Sequence, residues 1–252
     1  MAAICERAIA EGLSGIALTD HINVYYGARM NREVVQGVKK DVADARKEFG
    51  DRIEIATGVE LGEGHHDLPF FKELLSDGEI DFVIGSLHQP RNSLDYWEMD
   101  FDSEDLDLNA LFRLYYDEMM EMAAGGCYDV IGHFNLPLRY MSAERRARTD
   151  LSPYLGDMRE ILKEVARAGK GIEINTSDLW RGHGFTLASA EVVKMFREEG
   201  GEIVTIGSDA HRLEQVGLAI KGGVECLAAA GFDKFAFYTK REPRFHSFEL
   251  NR

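Results

Sequence analysis

The chain has 252 residues, 45% of them hydrophobic and 29% charged, and carries a formal net charge of -15. That size suits one large α/β domain or two small ones, and the composition is that of an ordinary globular protein. So negative a surface disfavours nucleic acid and anionic membranes as partners, although a small phosphate stays admissible where a metal cluster reverses the local field.

In chain order, an amphipathic helix over residues 2–12 opens the sequence without a preceding strand. The run Ile16-Ala17-Leu18-Thr19 predicts the first strand, and Val34, Val35, Val38, Val42 and Ala45 predict a helix over 31–48. Strands are predicted at 53–56 and 81–85. A helix over 107–124 follows, with Leu108, Leu111, Leu114, Tyr115 and Met119 inward and Glu118 and Glu121 on other faces. Then come a strand at 128–131, a helix over 155–168, a strand at 171–175, a helix over 187–199 and strands at 203–206 and 235–238. Gly169 and Gly200 fall where helix C-caps are needed. The short apolar runs suit buried parallel strands, and their alternation with helices predicts βα units in a parallel sheet or barrel. An open doubly wound sheet is the competing architecture. No Pro/Gly/Ser-rich linker divides the chain, so residues 1–252 read as a single domain.

The three cysteines, Cys5, Cys127 and Cys226, form no CxxC pair and read as reduced thiols, mostly buried, of a cytoplasmic protein. No apolar run is long enough to span a membrane, and the N-terminus has no signal-peptide pattern.

The chemistry lies in where the metal-capable residues fall. Asp20 and His21 follow the first strand, Glu60 the second, His88 the third, His133 the fourth, and Asp209 and His211 a later one. In a barrel the loops after strand C-termini converge on one rim, so five segments would deliver ligands to one place. Imidazole with carboxylate suits zinc, manganese or iron, and a carboxylate can bridge two ions. Asp20 reads as an orienting or capping residue rather than a ligand. His246 reads as a surface residue, His65 and His66 as a solvated loop, and His183 as a loop residue able to line the mouth. GxGxxG after a strand, the P-loop and the GxSxG elbow are all missing.

These residues resemble the PHP (polymerase and histidinol phosphatase) family of metallophosphoesterases: TDH at 19–21, GVELG at 58–62, GSLH at 85–88, GH at 132–133, EINTS at 173–177 and SDAH at 208–211. The stretch from EINTS to SDAH, and HFNLPLRY at 133–140, resemble the histidinol-phosphatase branch, with Asn135 where Asp is usual. The resemblance implies a distorted, TIM-like (β/α)7 barrel holding up to three divalent ions. His21, Glu60, His88, His133, Asp209 and His211 would be the metal ligands. Asp209 and His211 would also be the catalytic residues, and Arg139 and Arg181 the candidates for phosphate contact. The implied reaction is hydrolysis of L-histidinol phosphate in histidine biosynthesis. Another small phosphate or a nucleotide is the alternative substrate. An amidohydrolase-like barrel is a weaker alternative, disfavoured by the glutamate of GVE.

The family opens with a strand ending in His-x-His, and this chain has no histidine before His21. The expectation is therefore a late start or a fragment lacking the first strand and some ligands, with fewer ions bound. A degenerate, non-catalytic member is the alternative. A gap in the barrel, instability or pairing of domains should follow.

Overall fold

Helix α1 (Ala2–Ala10) leads into strand β1 (Gly15–Asn23). The computed structural model describes residues 1–76 and 78–248. After β1 come α2 (Gly27–Phe49), β2 (Glu54–Gly62), α3 (Leu68–Leu74), β3 (Phe82–Ser86), α4 (Leu108–Gly125) and β4 (Val130–Ile131). The second half runs α5 (Ala143–Arg148), α6 (Leu155–Arg167), β5 (Gly171–Asn175), α7 (Ser177–Trp180), α8 (Ala190–Glu198), β6 (Val204–Gly207), α9 (Ile220–Ala229), β7 (Lys234–Thr239) and β8 (Glu242–Ser247).

The helices follow their apolar spacing. Val35, Val38, Val42, Ala45 and Phe49 line one face of α2 and are all buried. Each buried valine there contributes about 1.5–3 kcal/mol of transfer free energy. Helix α4 starts where the Asp107 carboxylate accepts the amides of Asn109 and Ala110, and it stops at Gly126 in the left-handed region. Gly169 and Gly200 follow α6 and α8 with φ of +65° and +90°, as the capping pattern requires.

Strands β1 to β6 form one parallel sheet in sequential order, which makes the fold α/β with a curled, barrel-like wall. β2, β3 and β5 are buried almost throughout, because helices cover one face and the sheet's own interior the other. Among the described residues β1 and β6 are the sheet's edges, so the wall stays open there. Ile16, Ala17 and Leu18 of β1 are correspondingly half-exposed. A cleft of about 730 Å³ runs along β1, β6 and β7.

The segment 235–238, expected as another buried parallel strand, instead lies in β7 and pairs antiparallel with β8. The turn between them is formed by Lys240 and Arg241, both at positive φ. This hairpin closes the interior at the N-terminal ends of the strands. Tyr238 stacks on Phe82 at 5.0 Å, and Ala236 packs with Ile84 and Val130. Asp81 accepts the Lys240 amide at 2.8 Å, and Asp129 holds the Arg241 Nε at 2.5 Å.

Candidate metal centre

Parallel pairing places His21 opposite Glu60, in register, on the last turn of the pleat before the rim. His88 lies two residues beyond the end of β3, and His133 two beyond β4. The three rings converge on the Glu60 carboxylate. His133 Nε2 is 3.0 Å and His88 Nε2 3.1 Å from Oε1, and His21 Nε2 is 3.5 Å from Oε2. The Ser86 hydroxyl also donates to Oε1, at 2.7 Å. Neighbouring rings stand 5.0 Å (His88–His133), 5.4 Å (His21–His88) and 5.8 Å (His21–His211) apart.

Asp209 and His211 come from the loop after β6. His211 Nδ1 is 3.5 Å from Asp209 Oδ1, and Arg139 Nη1 is 3.0 Å from Asp209 Oδ2. Asp209 and His133 both have positive φ, 51° and 27°. Such backbone conformations cost roughly 1–3 kcal/mol each and are held by their surroundings. Arg139 is the fastening: its Nε meets Asp178 Oδ2 at 3.0 Å, and its Nη2 meets Asn175 Oδ1 at 3.1 Å and Ser177 Oγ at 2.7 Å. Those three hydrogen bonds take the Nε and both Nη2 donors, which leaves the Nη1 group facing Asp209. Arg181 sits over the Trp180 ring at 4.7 Å, at the exposed end of α7.

Electrostatics follow from burial and convergence. Burial works against the Glu60 carboxylate, but the His21 charge and hydrogen bonds from His133 and His88 hold it well below the ordinary range. His88 is opposed by burial too, yet the Glu60 hydrogen bond and charge raise it to about 9. His133 is lowered, because there burial outweighs the same partner. Glu173, wholly buried behind the centre, is pushed up to about 7 by burial and by the charges of Asp209 and Glu60. It accepts the His133 amide at 3.1 Å, and a Cβ at Gly207 would lie 2.2 Å from its Oε1, so only glycine leaves it room.

This donor set fits a divalent cation. Glu60 Oε1 alone is approached by a hydroxyl and two imidazole nitrogens within 3.1 Å. His21, Glu60 and His88 offer atoms within 4.8 Å of one another. Imidazole nitrogens and a shared carboxylate are what zinc or manganese takes. The cleft brings Glu60, His133, Glu173, Asp209 and His211 to one wall.

The other sequence expectations divide. Asp20 is exposed, and His246 lies on β8, stacked on Phe235 at 5.7 Å. His183 Nδ1 lies 2.7 Å from Asp178, whose other carboxylate oxygen holds Arg139. His65 and His66 are not solvated: both side chains are buried against Glu118, which itself faces inward and not outward. Asn135 accepts the Tyr116 hydroxyl and donates its amide to the Tyr115 hydroxyl, so it serves the core. Sequence reasoning missed Glu63, whose carboxylate accepts the His88 and Gln89 amides at 2.5 and 2.9 Å and binds Asn23. Its place just past β2 was a usable signal. Asp178 was also missed, and nothing in its local pattern marks it.

A family model described as the PHP domain matches residues 1–177. A probable histidinol-phosphatase of Deinococcus radiodurans is 27% identical, over 94% of this chain and 90% of the relative. A histidinol-phosphatase of Lactococcus lactis is 28% identical, over 92% of this chain and 86% of the relative. Among solved structures, histidinol phosphate phosphatase from Lactococcus lactis, complexed with zinc, L-histidinol and phosphate, superposes with a TM-score of 0.79 at 23% identity, covering 96% of this chain and 92% of that one. A putative histidinol phosphatase from Listeria monocytogenes gives 0.68 at 17%, covering 87% and 92%.

Proposed function

This chain belongs to the PHP domain family, and from that membership we propose that it is a metal-dependent phosphate monoester hydrolase acting on L-histidinol phosphate, with residues 1–252 working as one catalytic domain. The observation that carries the reading is the convergence of three imidazoles from three strand ends on the Glu60 carboxylate, open to a cleft. His21, Glu60, His88 and His133 would hold divalent ions, with Asp209 and His211 beside them; zinc is the first candidate, manganese or iron the others. When bound, such ions supply a Lewis acid that polarises the phosphate and acidifies a water.

The chain's own groups do the rest. Glu60 gathers the imidazoles and balances the charge of His88. Glu63 fixes the backbone of His88, and Glu173 that of His133, so both rings are aimed before anything binds. Arg139 positions Asp209 and can turn an Nη1 hydrogen to a phosphate oxygen, while Arg181, unpaired with any carboxylate among the described residues, can swing to the ester from the rim. Asp209 or His211 would protonate the leaving alkoxide.

The deciding experiment is phosphate release from L-histidinol phosphate, with nucleotides and sugar phosphates as competitors, after loading with zinc or manganese and again after chelation. Chelator-sensitive release from L-histidinol phosphate above all others is expected. Faster release from a nucleotide would replace the substrate, and no release with any ion would defeat the enzyme reading.

A further inference from the structure

A second group of donors lies away from the Glu60 centre and shares no residue with it. His65 and His66 occupy the 3-10 turn Gly64–Asp67, and Glu118 lies mid-way along α4. The two Nε2 atoms meet a single oxygen, Glu118 Oε2, at 2.9 and 2.7 Å. Their rings stand edge-on, 4.2 Å apart. Side-chain exposures are 2%, 8% and 4%, so water does not screen the group. The other carboxylate oxygen is already committed to the Arg91 amide at 2.5 Å, which fixes Oε2 toward the imidazoles.

Adjacent residues in a turn ordinarily point their side chains apart. Here both rings are folded back onto one oxygen, and all three donor atoms lie within 4.8 Å of one another. Donors about 2.0–2.1 Å from a tetrahedral zinc stand roughly 3.3 Å apart, so this trio needs to spread by only a few tenths of an ångström to take an ion. The Tyr25 ring lies edge-on to His66 at 6.2 Å and is itself half-exposed, so the group lies one side chain beneath the surface. Burial holds His65 at about 4, so at neutral pH its ring is in the unprotonated form that ligation needs.

We propose that His65, His66 and Glu118 form a second transition-metal site, of the two-histidine, one-carboxylate type and of the zinc class. The ion would tie the turn after β2 to α4. That turn begins next to Glu63, which holds the His88 backbone, so the site braces one wall of the first centre from behind. This inference does not depend on the phosphatase reading.

The test uses the full chain, zinc alone and anomalous scattering at the zinc edge, with bound zinc per chain counted in parallel. At zinc in tenfold excess, density is expected bonded to His65, His66 and Glu118, besides density at Glu60. His66→Gln and, as a milder change, Glu118→Gln should each remove that density and one equivalent of zinc while the Glu60 density persists. Wild-type crystals with zinc at Glu60 and none at this group would overturn the proposal, even if the variants failed to fold. Zinc here with none at Glu60 would support the proposal and count against the phosphatase reading instead.

Discussion

Glu60→Gln keeps the shape of the side chain and removes the charge on which three imidazoles converge. In the metal-free protein His88 is raised from 6.5 to about 9, a difference of about 2.5 units. At 1.36 kcal/mol per unit, that is about 3 kcal/mol of extra affinity for the His88 proton in the folded state. Because the folded value lies above the unfolded one, this stabilisation is complete below about pH 6.5 and disappears as pH rises through 9. With Glu60→Gln burial is opposed only by the charges of Glu63 and Asp95, so His88 should titrate well below 9. A stability difference of that size in a chain this long shifts Tm by about 6–12 °C. The variant should therefore melt lower by about that amount at pH 6, with the deficit closing toward pH 9.5. NMR titration of the His88 ring in chelator-treated protein reads the cause directly. A wild-type His88 that titrates at or below 6.5 would refute the reasoning, because the carboxylate would then not be the hub. The same variant should lose more than about 100-fold in zinc affinity, since even second-layer partners cost that much.

Arg139→Ala takes the guanidinium from the buried carboxylates of Asp178 and Asp209, leaving them the imidazoles of His183 and His211, and a loss of about 3–5 kcal/mol in urea unfolding is expected, together with a collapse of kcat; a loss under 1 kcal/mol would mean that the fastening is not one. Arg181→Ala should change stability by less than about 0.5 kcal/mol. Its KM should nevertheless rise about tenfold, the effect of one 1.4 kcal/mol phosphate contact, and an unchanged KM would remove Arg181 from the site. Arg241→Ala, at the opposite end of the strands, should cost about 1.5–3 kcal/mol and leave kcat/KM untouched, as measured by denaturation and initial rates. Glu173 is a carboxyl raised in the folded state, so in metal-free protein its contribution is present below about 4.5 and is lost as pH rises to about 7. Glu173→Gln should flatten the fall in Tm across that window, and a wild-type Tm already flat there would contradict the assignment.

The strand–helix alternation and the acids and imidazoles at the strand ends were legible because both are local. Apolar runs and the residues just after them are read without knowing what lies across the sheet. The hairpin of β7 and β8 was not legible as such, since Phe235–Tyr238 has the same apolar content whether it extends the wall or plugs its end. What decides is the Lys240–Arg241 turn and its anchorage on Asp81 and Asp129, more than 100 positions away. His65 and His66 failed for a related reason. A polar turn reads as solvated unless the residue that buries it is known, and Glu118 looked like the outer face of an amphipathic helix. Its inward turn follows from α4 packing over the 3-10 turn.

The two ends of the parallel sheet show why the site can afford strain. At the N-terminal ends Asp81 and Asp129 each accept a neighbouring strand's amide, from Thr57 and Val83 at 2.9 Å, and each also holds an arginine, Arg46 or Arg241. Those ion pairs tie each strand to its neighbour. At the C-terminal ends the pairing is inverted: Glu60, Asp209 and Glu173 crowd together with one buried arginine among them, and four non-glycine residues of the following loops, Glu63, His133, Asn135 and Asp209, sit at positive φ. Like charges held that close favour any cation that enters, so the unfavourable part of the fold is also the part with affinity. A stable floor under a strained rim is what lets three imidazoles be aimed at one carboxylate before the ion arrives. The Arg241→Ala comparison separates the two, because weakening the floor should lower Tm long before it disturbs the rim.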